Sequence, residues 1–147
     1  MNREMTELYA RRAAIHYNRG DYANAIDDFD KVIERQPTNP KFYYGRAAAY
    51  HKIGDYDRSI LDCNQAINLK PSFSEAYYAR ANAYYAIDDY ARAIAEYSKA
   101  LALRPDFAEA YLWRGYNYTI IGNYAKAIAD KEKVMKLKPK LVYTKGH

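Results

Sequence analysis

Residues 74–107 read SEAYYARANAYYAIDDYARAIAEYSKALALRPDF, and the fold follows from this stretch because it recurs along the chain. Its proline belongs to a column spaced by 34 residues: Pro37, Pro71, Pro105 and Pro139. The same interval separates the tyrosines Tyr9, Tyr43, Tyr77 and Tyr111, and the arginines Arg12, Arg46, Arg80 and Arg114. A fixed period of this length indicates structural repeats that stack on their neighbours.

Four such repeats account for nearly all of the 147 residues. With proline at repeat position 32, the repeats are residues 6–39, 40–73, 74–107 and 108–141, followed by a short tail, 142–147. No room remains for a second domain, so we expect residues 1–147 to form a single domain. Half of the residues are hydrophobic, which is enough to bury a core.

Each repeat has the pattern of two helices. Apolar or aromatic residues at positions 4, 8 and 11 predict a first helix, and those at 17, 20, 21, 24, 27 and 28 predict a second. Glycine at position 15 predicts the turn between them, because glycine enters the left-handed conformation at low cost. Asp88 replaces this glycine in repeat 3, which we expect to cost about 1 kcal/mol.

This pattern resembles the tetratricopeptide repeat (TPR) family over residues 6–141. The matching features are tyrosine at position 4, a small residue at 8, tyrosine at 11, glycine at 15, tyrosine at 17, alanine at 20, an aromatic residue at 24 and proline at 32. His16 departs from the pattern at position 11, and Cys63 and Lys131 depart from it at position 24. The resemblance implies an all-α fold, an α-solenoid in which four antiparallel helix hairpins form a right-handed superhelix. It also implies that the first helices line a concave groove that commonly binds peptides, and it implies no particular ligand.

An acidic column accompanies the arginines of position 7. Position 23 holds Asp28, Asp62, Glu96 and Asp130. An antiparallel hairpin that turns near positions 15 and 16 brings positions 7 and 23 together. A row of arginines would also suit an anionic ligand, but the matching acids favour a ladder of ion pairs between helices, because a partly buried arginine needs such a partner.

Tyrosine is unusually frequent, with 18 copies, and six of them lie outside the repeat columns. Five of these six lie at positions 5, 9 and 12 of first helices, which form one stripe of a helix. In TPR arrays this stripe faces the groove. With the residues that share or border the stripe, the predicted groove is Tyr17, Tyr44, His51, Tyr78, Asn82, Tyr85, Trp113 and Tyr116. The alternative, that an aromatic residue at position 5 only supports packing between repeats, applies best to Tyr44 and Tyr78.

The expected ligand is an extended or helical peptide with apolar or basic side chains, whose backbone the Asn82 amide can hold as donor and acceptor. Chaperone-adaptor TPR domains, which this chain resembles, hold a C-terminal carboxylate with lysines, asparagines and an arginine. The corresponding positions here hold Ala10, Ala14, Gly45, Glu75 and Ala79, or, one repeat later, Tyr44, Ala48, Ala79, Glu109 and Trp113. Neither set supplies the required cations and amides, so no carboxylate clamp of the chaperone type is predicted.

The net charge of +5 does not indicate a nucleic-acid binder. The four repeats carry formal charges of −1, +2, −1 and +4 and the tail carries +1, so the excess is local to the lysines of repeat 4 and Lys145. A nucleic-acid interface should instead spread its basic residues along one groove or stripe. Lysines late in a helix complement its negative end and keep a terminal repeat soluble.

Enzymatic chemistry has little support in the sequence. The histidines His16, His51 and His147 lack the spacing of a metal site, and Cys63 is expected to be a small core residue. No glycine-rich phosphate loop or nucleophile–histidine–acid set is present, so no catalytic residue, metal or cofactor is predicted. No apolar run approaches the roughly 20 residues that span a bilayer, and no secretory signal is evident at the N-terminus. We therefore expect a cytoplasmic protein without a membrane segment.

The sequence thus predicts a non-enzymatic scaffold that binds a protein segment in a tyrosine-rich concave groove. The alternative is a self-assembly module that uses the uncapped face of repeat 4, for example as a homodimer. The sequence leaves open the partner, the pathway, the oligomeric state, and whether the chain is part of a longer TPR array.

Overall fold

The computed structural model describes residues 2–141. Within this range the chain has no β-strand and forms eight consecutive helices: α1 (Arg3–Asn18), α2 (Tyr22–Arg35), α3 (Pro40–Lys52), α4 (Tyr56–Leu69), α5 (Ser74–Ala86), α6 (Tyr90–Leu103), α7 (Ala108–Ile120) and α8 (Tyr124–Leu137). Residues 139–141 are helical again. The predicted tail 142–147 lies outside the described residues. The helices pair as antiparallel hairpins of a right-handed α-solenoid, which confirms the predicted fold class.

The turn within each hairpin contains a left-handed residue at repeat position 15. The φ angle is 83° at Gly20, 82° at Gly54 and Gly122, and 64° at Asp88. Asp88 offsets part of the cost because its Oδ1 accepts a 2.9 Å hydrogen bond from the Tyr90 hydroxyl. In three hairpins the second helix has an N-cap residue whose side chain accepts a hydrogen bond from the backbone N–H three residues later. These N-cap residues are Asp55, Asp89 and Asn123.

Small side chains allow the paired helices to approach closely. Positions 8 and 20 supply buried small residues to the contact: Ala13, Ala47, Ala81, Ala25, Ser59 and Ala93. Position 24 fills the junction with the next repeat, where Phe29 and Tyr97 are buried. Cys63 occupies the same position, and burial raises the pKa of its thiol to about 12. Cys63 is therefore a protonated core residue and not a nucleophile.

The arginine column forms the predicted ladder. In each repeat, Nε of the arginine donates a hydrogen bond to the carboxylate at position 23. The distance is 2.8 Å for Arg12 and Arg46, 2.7 Å for Arg80 and 2.9 Å for Arg114. The accepting carboxylates are buried at Asp28, Asp62, Glu96 and Asp130. Because each arginine neutralises a buried acid of its own hairpin, the column is committed to the scaffold and is not available to grip a ligand.

Candidate concave groove

The first helices contact one another along the array, α1 with α3 and α3 with α5, and so line the inner surface of the solenoid. A groove with a volume of about 400 Å³ opens on this surface. It spans repeats 2 to 4 and is lined by His51, Tyr56, Asn82, Tyr85, Ala86 and Trp113. Four of the eight predicted site residues therefore meet around one concavity.

An aromatic cluster forms the C-terminal wall of this groove. The Tyr85 ring lies 5.7 Å from Trp113 and 5.9 Å from Tyr116, measured between ring centroids, and 6.1 Å from Tyr90. Trp113 and Tyr116 are 5.8 Å apart and nearly perpendicular. Such edge-to-face and tilted pairs hold each ring in a fixed orientation. Tyr116 nevertheless keeps 49% of its surface exposed, so the cluster presents a preformed aromatic surface to solvent.

Tyr44 and Tyr78 lie deeper than the cluster and support the junctions between repeats. Tyr44 packs on Phe73 at 5.1 Å, and Tyr78 packs on Phe107 at 4.7 Å and on Tyr97 at 5.8 Å. Burial raises the pKa of both phenols, that of Tyr78 to about 12. The packing alternative raised for position 5 therefore describes these two tyrosines well.

Asn82 is part of the groove floor. Its Oδ1 accepts a 2.5 Å hydrogen bond from the Tyr97 hydroxyl, and its amide also interacts with Tyr78, which lowers the pKa of that phenol against the larger effect of burial. The Asn82 oxygen is therefore already engaged within the scaffold, and its second lone pair is the acceptor that it can offer to a peptide. Its acceptor already satisfies the hydroxyl of a fully buried tyrosine.

His51 contributes a polar group to the groove. Its ring packs on Tyr56 at 5.0 Å. Burial, with a smaller contribution from the charge of Lys52, lowers the pKa of His51, so the imidazole is neutral at pH 7. Its Nδ1 is buried and has no hydrogen-bond partner within residues 2–141.

Tyr17 lies at the N-terminal end of the predicted set, where it packs with Tyr44 against the same core cluster. It packs on Tyr22 at 5.4 Å in repeat 1 and does not line the groove of repeats 2 to 4. Two residues of the groove, Tyr56 and Ala86, were not predicted from the sequence. Tyr56 belongs to the scaffold column of position 17, and so does Tyr90, which packs on Tyr85. The repeat pattern does place position 17 near the groove, because it directly follows the turn. Its tyrosine packs on the ring at position 12 in each of the three repeats that have a ring at position 12.

No metal site accompanies the groove: residues 2–141 contain no group of three or more histidine, cysteine, aspartate or glutamate side chains that could hold an ion. The same range contains no helix long and apolar enough to cross a membrane.

A solenoid of helix hairpins with a groove along its first helices defines a helical-repeat protein, a class built around extended concave binding surfaces. Comparison with protein families specifies the class further. A profile described as "TPR repeat" matches residues 13–54 and 81–119, and two described as "Tetratricopeptide repeat" match 40–73 and 108–141. The chain belongs to the tetratricopeptide repeat family, whose members are in general non-enzymatic interaction scaffolds.

Solved structures of TPR proteins are similar to this chain. A crystal structure of MamA has 29% identity and a TM-score of 0.82, covering 89% of this chain and 77% of MamA. The first TPR of Spaghetti (RPAP3), bound to the HSP90 peptide SRMEEVD, has 26% identity and a TM-score of 0.78, covering 82% of this chain and 96% of that one. A thermophilic TPR protein of Thermus thermophilus, TTC0263, shares the fold at 21% identity and a TM-score of 0.80, with coverages of 91% and 75%. No curated protein sequence matches the chain.

Proposed function

We propose that the protein is a non-enzymatic scaffold that binds a peptide segment of a partner protein in the concave groove of repeats 2 to 4. The observation that carries the proposal is the preformed cluster of Tyr85, Trp113 and Tyr116, in which Tyr116 stays exposed. Tyrosine and tryptophan dominate the binding energy of interfaces because they bury a large area at a small cost in side-chain entropy.

The ligand class follows from the charges around the groove. Glu75 and Glu109 are paired with Arg104 and Lys138, at 3.4 and 3.1 Å, so no surplus of cations faces the peptide. The similar TPR domain of Spaghetti binds the acidic peptide SRMEEVD. The positions that hold a carboxylate in chaperone adaptors carry no such cations here, so we propose a ligand with apolar or basic side chains. Basic groups can lie over tyrosine faces, and an affinity in the micromolar range, about −8 kcal/mol, is expected.

Selection from a random peptide library on the purified chain tests this function. Peptides that bind the wild type should lose affinity for Tyr85→Ala by about tenfold or more, with circular dichroism showing that the variant is folded. Tyr124→Ala is the matched control, because Tyr124 is a 63% exposed tyrosine on α8, away from the groove. A variant Tyr85→Ala that keeps full affinity for every selected peptide would show that the groove is not the site. The cytoplasmic location and the absence of a cofactor stay predictions from the sequence.

A second candidate function, self-association through repeat 4, is favoured by the exposed face of α8. Ile128 and Met135 keep 59% and 49% of their surface exposed. The equivalent residues of repeat 1, Ile26 and Ile33, are buried at 8% and 9% because the next repeat covers them. An apolar face of this kind favours a partner, and we propose another copy of the chain, with a homodimer as the simplest form.

A further inference from the structure

Asp88 is the one residue at repeat position 15 that is not glycine. All four hairpin turns place this position at a positive φ angle, which is 64° at Asp88 and 82° or 83° at the three glycines. A side chain in this region crowds the backbone, so Asp88 carries a strain that glycine avoids. A strained backbone position points to a function of the side chain that it carries.

The Asp88 carboxylate lies at the edge of the aromatic cluster. Its Oδ1 accepts a 2.9 Å hydrogen bond from the Tyr90 hydroxyl, and the Tyr90 ring lies 6.1 Å from that of Tyr85. This hydrogen bond is the largest of the effects that raise the pKa of Tyr90. Burial raises the pKa of Tyr85 most, followed by a hydrogen bond with Tyr116, and the charge of Asp88 makes a smaller contribution. One carboxylate and three phenols therefore meet at the same rim.

The charge of Asp88 is not neutralised within the scaffold. Asp88 is exposed and forms no ion pair with a lysine, arginine or histidine of residues 2–141, whereas the next acid of the same turn, Asp89, pairs with Arg92 at 3.6 Å. Tyr116, on the same rim, is 49% exposed. A carboxylate attracts a cation, and so does the face of an aromatic ring, so the two together favour a positively charged group.

From these observations we infer that Asp88 and the rings of Tyr85, Tyr90 and Tyr116 form a subsite for one lysine or arginine side chain of the bound peptide. The Tyr90 hydroxyl occupies Oδ1 of Asp88, which leaves Oδ2 to the cation, while the rings cover the aliphatic stem of the basic side chain.

The inference rests on the peptide-binding function proposed above and deepens it. The proposed function admits apolar or basic side chains anywhere along the groove. The subsite instead requires a basic residue at one position of the peptide for full affinity, next to the residues that contact Trp113.

Removal of one charge from each side of the contact tests the subsite. The probes are peptides selected from a random library on the wild-type chain, and their variants in which a lysine is replaced by norleucine or an arginine by citrulline. On the wild type, one such replacement should weaken binding about three- to fivefold. On Asp88→Asn the same replacement should change the affinity by less than about twofold, because the carboxylate is absent.

Three variants of the full chain control for the fold and for general charge effects. Asparagine tolerates a positive φ and keeps an oxygen for the Tyr90 hydroxyl, so Asp88→Asn should stay folded. Asp88→Gly restores the residue of the other three turns and should behave like Asp88→Asn towards the probes. Asp27→Asn is the matched control, because Asp27 is an exposed acid on α2 of repeat 1, and it should leave the affinities unchanged.

The remaining outcomes overturn the inference and separate it from the proposed function. If the selected peptides depend on Tyr85 but contain no basic residue, or if loss of their charge weakens binding equally on the wild type and Asp88→Asn, the subsite fails and the groove function stands. If no peptide is selected, or if Tyr85→Ala keeps full affinity for all of them, both fail. An equal effect of Asp27→Asn and Asp88→Asn would assign the attraction to general charge and would remove the subsite.

Discussion

Repeats 1 and 2 form the first half of the array, and repeats 3 and 4 form the second. Repeats 2 and 4 differ most at repeat position 6, which is Gly45 in repeat 2 and Trp113 in repeat 4. A Cβ atom at Gly45 would lie 2.5 Å from Cζ of Phe29, so the ring of repeat 1 occupies the space that a side chain would need. At Trp113 the same position carries a ring that packs on Tyr85 and lines the groove. The hairpin scaffold is thus shared by repeats 2 and 4, while the packed cluster of Tyr85, Trp113 and Tyr116 is found in repeats 3 and 4.

The largest effect that we expect from this difference is on the affinity for a peptide ligand. In a peptide-binding assay, the double variant Tyr85→Ala with Trp113→Ala should lose about 100-fold in affinity, close to 3 kcal/mol, because both rings are central contacts. Tyr17→Ala in the first half should change the affinity by less than about twofold. Equal losses in the two variants would mean that the ligand runs along the whole concave face.

Stability should respond similarly in the two halves, because Nε of the position-7 arginine donates to a buried carboxylate in both. Arg46→Ala and Arg80→Ala should each lower the free energy of unfolding by about 1–3 kcal/mol, since each removes the arginine that neutralises a buried carboxylate. Urea denaturation measures both values. The paired acid-to-amide variants Asp62→Asn and Glu96→Gln are the controls, and a loss confined to one half would show that the scaffold is not uniform.

Substitution of Gly45 should have a smaller effect on the free energy of unfolding. Gly45→Ala gains helix propensity of about 1 kcal/mol but forces the added methyl group against Phe29, which costs about 1–3 kcal/mol. We expect a net loss of up to about 2 kcal/mol in thermal or urea unfolding. Replacing the ring with a smaller side chain, in the double variant Gly45→Ala with Phe29→Leu, should recover part of the lost stability. A stabilised Gly45→Ala variant would contradict the account of the first half.

The smallest expected effect is a pH dependence of the free energy of unfolding, which we attribute to His51. The pKa of His51 is lowered in the folded chain, chiefly by burial. The unfolded chain therefore takes up the proton first as the pH falls, and stability decreases from the ordinary histidine pKa of about 6.5 down to the folded value. His51→Gln should flatten this part of the unfolding curve measured against pH, and an unchanged slope would place its origin elsewhere.

Local features of the fold could be predicted from the sequence, and features that depend on two distant repeats could not. The position-15 turn, including Asp88, and the pairing of Arg80 with Glu96 follow from spacing within one repeat. The hydrogen bond from Tyr97 to Asn82 depends on how deeply a ring enters the hairpin, which no spacing reveals. Tyr17 shares a helical stripe with Tyr85, but the stripe does not reveal that the ring cluster forms around Trp113, which repeat 4 supplies.

Fluorescence of Trp113 tests the central claim, that the ligand binds at the aromatic wall of repeats 3 and 4, most directly. Trp113 is the only tryptophan of the chain, so its emission reports on this wall alone. A peptide selected on the wild type should shift the emission to shorter wavelength and saturate it at the dissociation constant obtained by calorimetry, because the bound segment removes water from the indole ring. A peptide that binds in the calorimeter and leaves the emission of Trp113 unchanged would contradict the account.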